Sequence, residues 1–483
     1  MTARAITRWI AAVVIGLVAV VYLTTLRAGH DWGDDFSLYV LHARNLARGL
    51  AYAATGFIYN PVYPEITFAE PPLTPLLLAP VIRIWGLDLH AMQASLVCIF
   101  AGALTMIFLA FEEALRPASR VGLLLIVGFN WFFWSFKENI LADFPFLLVT
   151  FGALALIDRL YRTGLRSRRE VLSGILAGAA IYATYATRTI GAELLVAAVL
   201  FDLFVSRRVT VFQAVAVATF GVGAVWQATL LQAPVNYDMA FFAARLSLTA
   251  NLPAYVQSFE TLWTNGVQTR LGMGLFLLTS GAAVVGLLVR LRRPSVLDVF
   301  ALVYPIGAIA WDAGLPEFRL LYPMIPFFGF YAFAGLEALA SRVGPRTAAV
   351  AVVLLTVGIL GGYVRERAQW KMAPLPGVTS QTSIELFDFV RRAPASSVFI
   401  FRKPRALTLF TERAASVYDV LQSGQDLSEY CRQIRATHLI SSSVFPQDAD
   451  LLDPFIDRHR AQLRLVFRNA GFSVYEIVAD LRR

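Results

Sequence analysis

The chain has 483 residues, of which 57% are hydrophobic and only 16% charged, a balance too apolar for a soluble protein of this length to keep hydrated. Its net charge of +9 comes from Lys and Arg in short bursts between apolar stretches, without the continuous basic face that tracks a nucleic-acid backbone. That argues for a membrane protein and against nucleic acid as a partner. Cys98 and Cys431 stand in an apolar run and a polar tail, so no disulfide framework is in use.

A membrane span needs about 20 mostly apolar residues, because hydrocarbon leaves the backbone no partners outside its own helix. Eleven segments meet that test, some loosely: 9–26, 91–111, 121–136, 143–158, 171–187, 190–205, 211–231, 271–289, 296–311, 320–340 and 347–364. The first could instead be a cleavable signal peptide, but it is span-length and no small-residue cleavage site follows it. Basic residues favour the cytoplasmic side. Arg4 and Arg8, Arg116 and Arg120, the run from Arg159 to Arg169, Arg207 with Arg208, Arg290 to Arg293, and Arg342 with Arg346 fall in alternate connections. This predicts a multi-pass protein of the plasma (inner) membrane with a cytoplasmic N-terminus. The loops 27–90 and 232–270 and the tail from about 365 then share the outer, periplasmic or extracellular, face.

The tail changes character. A helical stretch at 383–392 and β-rich runs at 397–401, 437–441, 463–467 and 472–477 predict a small α/β domain. The fold class is thus mainly α, a polytopic helical membrane domain over 1–364 that includes the outer loop 27–90, followed by a C-terminal extracytoplasmic α/β domain over 365–483.

The first outer loop opens with Asp31, Asp34 and Asp35, then a helical stretch ending at Gly49, which suits a helix stop. Two readings of the acids stay open. Asp34 or Asp35 can cap the helix, or the crowding of like charges can raise one carboxylate into the role of general base. Farther on, Glu70 precedes Pro71-Pro72, which bar a regular helix; the step is either a rigid interfacial turn at the site or simply the turn before an amphipathic helix. Lys137, Glu138 and Asp143 lie at the mouth of two spans, where charge is costly and either functional or merely helix-ending. Arg188 and Arg319 break the inside-basic pattern; an outward arginine can snorkel to headgroups or clamp a phosphate with its planar fork. His30, His42 and His90 match no standard metal spacing.

Gly33-Asp34-Asp35 with Tyr39, Ala43-Arg44-Asn45-Leu46-Ala47 with Gly49, Glu70-Pro71-Pro72-Leu73, Leu141-Ala142-Asp143 with Pro145, and Arg319 with Tyr322-Pro323 and Pro326 occur in this order. Together they resemble the GT-C membrane glycosyltransferases, in particular the bacterial branch that includes the aminoarabinose and galacturonic acid transferases and the protein O-mannosyltransferases. The resemblance implies an enzyme that takes a sugar from a polyprenyl-phosphate donor and passes it to a lipid, glycan or protein acceptor at the outer face, among membrane lipids. It implies that an aspartate of the Asp34-Asp35 pair is the base in one inverting displacement, with Asp143 the second acidic position. Glu70 and Glu138 would serve the acceptor or a metal, and Arg319, Arg188 and Lys137 the donor phosphate. No cofactor is implied with certainty, although a divalent cation is compatible with the acids, and the metal is not specified. This chain has Pro71 where some relatives have lysine, and Leu320 where others have an aromatic residue. Other classes remain: a transporter or flippase, which would place its charges mid-membrane, and a lipid-linked polysaccharide polymerase or ligase.

Overall fold

A computed structural model describes residues 2–62, 69–163, 169–231, 248–264, 270–310, 318–340, 344–368, 370–420, 422, 424–479 and 481. Parts of the expected second outer loop (232–247 and 265–269), part of the basic run (164–168), Glu317 and Arg342 lie outside the described residues.

In chain order the membrane part is α1 (Ala3–Thr24), α2 (Asp35–Arg48), α3 (Leu73–Trp85), α4 (Leu89–Ala110), α5 (Pro117–Gly128), α6 (Trp131–Phe136), α7 (Asp143–Thr163) and α8 (Glu170–Tyr185). A 3-10 turn (Thr189–Ala192), α9 (Glu193–Leu200) and a π turn (Phe201–Ser206) follow, then α10 (Val211–Leu231), α11 (Leu248–Thr264), α12 (Arg270–Arg290) and α13 (Val296–Ala310). A second 3-10 turn (Phe318–Leu321), α14 (Met324–Ala340) and α15 (Pro345–Ala368) complete it. Among the described residues seven helices are long and apolar enough to cross a membrane. Four shorter apolar helices, α5, α8, α13 and α14, fall on the other expected spans.

The expected span 121–136 is two helices. Asn130 interrupts it: its side-chain oxygen accepts from Phe132 N (2.9 Å) and Phe133 N (3.4 Å) to start α6, while its amide donates to the Tyr363 hydroxyl (2.9 Å). The span at 190–205 likewise forms as 3-10, α and π pieces. Helices α12 and α14 touch backbone to backbone, since a Cβ on Gly286 would lie 1.9 Å from Tyr331 O and one on Gly335 1.9 Å from Ala282 O. Small residues at a crossing are how apolar helices approach closely in a membrane.

At one end of the bundle Arg4, Arg8 and Arg120 surround Glu112, and Arg116 reaches Glu337. Four of the arginines expected on one face, Arg4, Arg8, Arg116 and Arg120, are thus gathered here, their repulsion relieved by carboxylates. The outer loop and the tail meet at the other end.

The tail contains α16 (Gln381–Arg392), β1 (Val398–Ile400), α17 (Pro404–Thr411), β2 (Ala414–Ser416), α18 (Leu427–Gln433), β3 (His438–Ser442), α19 (Asp453–Arg458), β4 (Leu463–Arg468) and β5 (Phe472–Ile477). The sheet order is β2-β1-β3-β5-β4, with β1 parallel to both β2 and β3 and the last two strands antiparallel. Alternation along β1 splits the core: Phe399 and Phe401 pack with Ala406, Leu407 and Leu409 of α17, whereas Ile400 packs with Tyr430 and Cys431 of α18. Helices thus cover both faces, as crossovers of a parallel sheet require. The strand β2 and the helix α17 were not expected from the sequence.

The first outer loop is bound into this sheet. Residues 56–58 run parallel to β2, with Ala415 N donating to Gly56 O (3.3 Å) and Ile58 N to Ala415 O (2.8 Å). The indole of Trp32 sits edge-on among Phe387, Phe401, Phe445 and Phe472, at centroid distances of 5.5 to 5.8 Å. Leu375 N to Ala28 O (2.9 Å) and Val378 N to His30 O (3.1 Å) close the junction.

Candidate active site

A cleft of about 330 Å³ opens at that junction, lined by His30, Asp31 and residues 33–36 of the loop, Asn139 and Leu141 before α7, Arg319, and Arg402, Lys403 and Arg405 of the tail. It forms because Asp35 begins α2, Arg319 lies on the turn before α14, and α17 starts directly after β1. Gly49 ends α2 at φ +69°, as its position suggested.

Asp34 and Asp35, adjacent in sequence, have different surroundings. Asp34 occupies the capping position of α2 but makes no capping bond to it. Its Oδ1 instead accepts from Ala406 N (3.4 Å) in the first turn of α17, and its Oδ2 lies 3.5 Å from Arg405 Nε. Burial pushes the Asp34 carboxyl above its ordinary range, opposed by Arg405 and Lys403. Asp35 is half exposed to the cleft (49%) and faces two guanidinium groups, Arg405 Nη1 at 3.2 Å and Arg319 Nη2 at 3.5 Å. Burial again acts to raise its pKa, but Arg405, Arg319 and Lys403 outweigh it and hold Asp35 below the usual carboxylate value. The first acidic residue thus secures the tail to the loop, and the second presents an ionised carboxylate to the cleft.

Deeper in, Arg188 Nη1 bonds Asp143 Oδ1 at 2.6 Å, with the aspartate at the start of α7 and buried. Two tyrosines stand in the fields of both this pair and the cleft charges. Tyr39, one turn along α2 from Asp35 and on the same side, stands in the fields of Glu70, Arg188, Asp35 and Asp143; burial keeps its hydroxyl protonated, well above its ordinary pKa. Tyr322 lies in the fields of Asp143, Arg319 and Arg188.

Glu70 is buried, and its backbone is gripped from both sides. His42 Nε2 accepts from Glu70 N (3.2 Å), and the Tyr52 hydroxyl donates to Glu70 O (2.7 Å). His42 Nδ1 donates to Tyr52 O (2.9 Å), which sets the tautomer, and burial lowers its pKa to about 3, so the ring stays neutral. Leu73 N to Ala186 O (2.8 Å) anchors the Pro71-Pro72 step beside the turn that carries Arg188.

Asp34, Asp35 and Arg319 therefore line one cleft, while Asp143, Arg188 and Glu70 do not line it and share with it only the fields in which Tyr39 and Tyr322 stand. Lys137 and Glu138 belong to a different cluster. Glu138 pairs with Arg27 and accepts from Lys137 Nζ (3.1 Å), and the fully buried ammonium sits 3.9 Å from the Trp134 ring. Burial lowers Lys137 to about 8. Neither side chain lines the cleft.

For a divalent cation the donor set does not fit. Among the described residues no three His, Cys, Asp or Glu side chains converge, and the cleft carboxylates already face arginines. His30 is occupied by Ile140 N (3.3 Å) and Asp31.

The residues that sequence reasoning missed are Arg402, Lys403 and Arg405. A signal was present: Arg402-Lys403-Pro404-Arg405 puts three cations around a proline that begins a helix, the end where the dipole disfavours positive charge.

No family model matches the chain, and no curated protein does. Solved structures do. The chain is similar over 98% of its length to 99% of ArnT from Cupriavidus metallidurans bound to undecaprenyl phosphate, at 13% identity and a TM-score of 0.62. It is similar over 92% to 70% of the oligosaccharyltransferase AglB of Archaeoglobus fulgidus in complex with an inhibitory peptide and a dolichol-phosphate, at 11% identity and a TM-score of 0.58. It matches 40% of the arabinofuranosyltransferase AftD from Mycobacteria over 98% of its own length, at 13% identity and a TM-score of 0.56. At 11 to 13% identity these likenesses show the fold: the chain has the GT-C fold that the three structures share.

Proposed function

We propose that the protein is a membrane glycosyltransferase that moves a sugar from a polyprenyl-phosphate carrier to a hydroxyl-bearing lipid, glycan or protein acceptor on the outer face of the plasma membrane. The division into a spanning part over 1–364 and an outer tail unit over 365–483 belongs to the same reading. The observation that carries it is the half-exposed Asp35 carboxylate held between Arg319 and Arg405 in a cleft at the ends of apolar helices. The occupants of the similar structures, undecaprenyl phosphate in ArnT and dolichol-phosphate in AglB, support the choice of donor.

In the reaction the acceptor oxygen attacks the anomeric carbon as the bond from that carbon to the phosphate oxygen breaks, and the acceptor proton passes to Asp35. A carboxylate of low pKa suffices, because the hydroxyl becomes strongly acidic as its oxygen bonds to the sugar. Negative charge returns to the carrier phosphate, where Arg319 stabilises it without reorganising. Arg188, its charge balanced by Asp143, forms a fixed polar pair behind that wall, with Tyr39 and Tyr322 in its field. Asp34 and Glu70 position the loop.

A polysaccharide polymerase or ligase would use the same cleft and differ in its product. A transporter would need coupling charges within the spans, whereas these groups sit on loops and helix ends. Purified protein incubated with a panel of polyprenyl-phosphate sugars should consume one of them and release the carrier phosphate. Consumption of none, with a folded sample and a range of acceptors, would refute the reading.

A further inference from the structure

The carboxyl ends of the tail's parallel strands border the cleft that holds Asp35. In a sheet with parallel strands, ligands bind beyond the carboxyl ends of the strands, where neighbouring connections leave to opposite faces. Here β1 and β3 are parallel neighbours. The chain leaves β1 for α17, which packs on one face with Phe399 and Phe401, and leaves β3 for α19, whose Phe455 and Ile456 pack on the other with Ile400 and Leu439. The switch point therefore lies at residues 401–405. Trp32 packs there against Phe401 and Phe445, and Arg402, Lys403 and Arg405 line the cleft that holds Asp35.

Lys403 stands in that lining, capping α17 at the end where a cation is least favoured. Its ammonium makes no hydrogen bond or ion pair with a described residue, although Asp34, Asp35 and Asp31 lie in its field. The half-buried ammonium lines the cleft beside Arg402 and Arg405, so its charge is presented to whatever enters. Arg405 is engaged with both aspartates, which leaves Lys403 and Arg319 as the cleft cations able to meet an anion from two sides. We infer that Lys403 is an oxyanion-binding residue of the active cleft, supplied by the tail across from Arg319, and that its ligand is a phosphate group of a reacting substrate. This deepens the proposed reading of the same cleft: the tail is part of the site, and transfer requires its docking onto the loop. The phosphate comes either from the membrane carrier or from the second, water-borne substrate.

The test is equilibrium binding of two probes, undecaprenyl phosphate and inorganic phosphate, to the full-length protein in detergent, comparing wild type with Lys403→Gln and Lys403→Arg. Loss of one charge-assisted contact should weaken binding about tenfold or more in Lys403→Gln, with Lys403→Arg close to wild type. Weaker undecaprenyl phosphate binding identifies the carrier as the source; weaker inorganic phosphate binding alone identifies the second substrate. Equal affinities of wild type and Lys403→Gln for both probes, or no binding of either to wild type, would overturn the inference. If Lys403→Gln does not fold, Lys403→Met takes its place on the same readout. Should no polyprenyl-phosphate sugar be consumed while phosphate binding still depends on Lys403, glycosyl transfer fails and the subsite stands.

Discussion

Replacing Arg405 with methionine separates the docking of the tail from ordinary core packing. The guanidinium is 1% exposed and lies between Asp34, whose side chain is 10% exposed, and Asp35, which is 49% exposed. Methionine keeps most of the stem volume, so the main loss is electrostatic, together with a cation–π contact to Phe57 at 5.4 Å. Removing one member of a buried pair costs about 3 to 5 kcal/mol, whereas a solvent-exposed partner contributes little. With one buried carboxylate partner among the described residues, at the long distance of 3.5 Å, the low end applies, about 3 kcal/mol. Asp34→Asn in the Arg405→Met background should restore about 2 kcal/mol, because it removes the carboxylate left unpaired. The pH dependence has a definite sign. Asp34 already has a raised pKa in the folded protein and loses an opposing cation in the variant. A carboxyl whose folded pKa exceeds its unfolded one binds its proton better when folded, so stability is lost as pH rises through that value. The deficit should therefore be largest near neutrality and shrink on acidification. Denaturant titrations in detergent at several pH values, followed by proteolysis of the tail, measure it. An Arg405→Met protein within about 0.5 kcal/mol of wild type at neutral pH would refute the reasoning.

Other outcomes follow from the same geometry. Trp32→Ala removes four edge-on ring contacts and should destabilise the junction by about 3 to 5 kcal/mol, seen as rapid protease cleavage between loop and tail. Wild-type resistance in that variant would mean that the tail is held elsewhere. Arg319→Ala takes away one of the cations that depress Asp35, so the acid limb of kcat/KM should move to higher pH while undecaprenyl phosphate binds more weakly; an unmoved limb would count against Asp35 as the base. His42→Ala frees the Glu70 backbone and should lower transfer with little loss of fold, and His42→Gln, which can still accept from Glu70 N, should recover part of it. Equal activity of those two variants would deny the histidine a positioning role.

The spans were legible because hydrocarbon demands long apolar helices, and each of the eleven expected segments overlaps a helix. The break at Asn130 was not, because apolar residues on both sides hide a cap whose partner, Tyr363, is 233 positions away. In the tail, alternation exposed β4 and β5, but Ala414–Ser416 is too short and small to read as a strand, and its pairing with the outer loop is long-range. Within the site, Asp35 and Arg319 could be named from local oddities of charge. The different roles of Asp34 and Asp35 could not, since they depend on α17 reaching across from beyond the last span. Lys137 and Glu138 looked like mouth charges, yet they are absorbed by each other, by Arg27 and by Trp134.

The most direct measurement is single-turnover sugar transfer from a labelled polyprenyl-phosphate donor by wild type, Asp35→Asn and Asp34→Asn, each shown to be folded and to bind the donor. Asp35→Asn should slow the chemical step by about 100-fold to 10,000-fold, while Asp34→Asn keeps the chemistry and loses stability. Full turnover by Asp35→Asn would contradict the account.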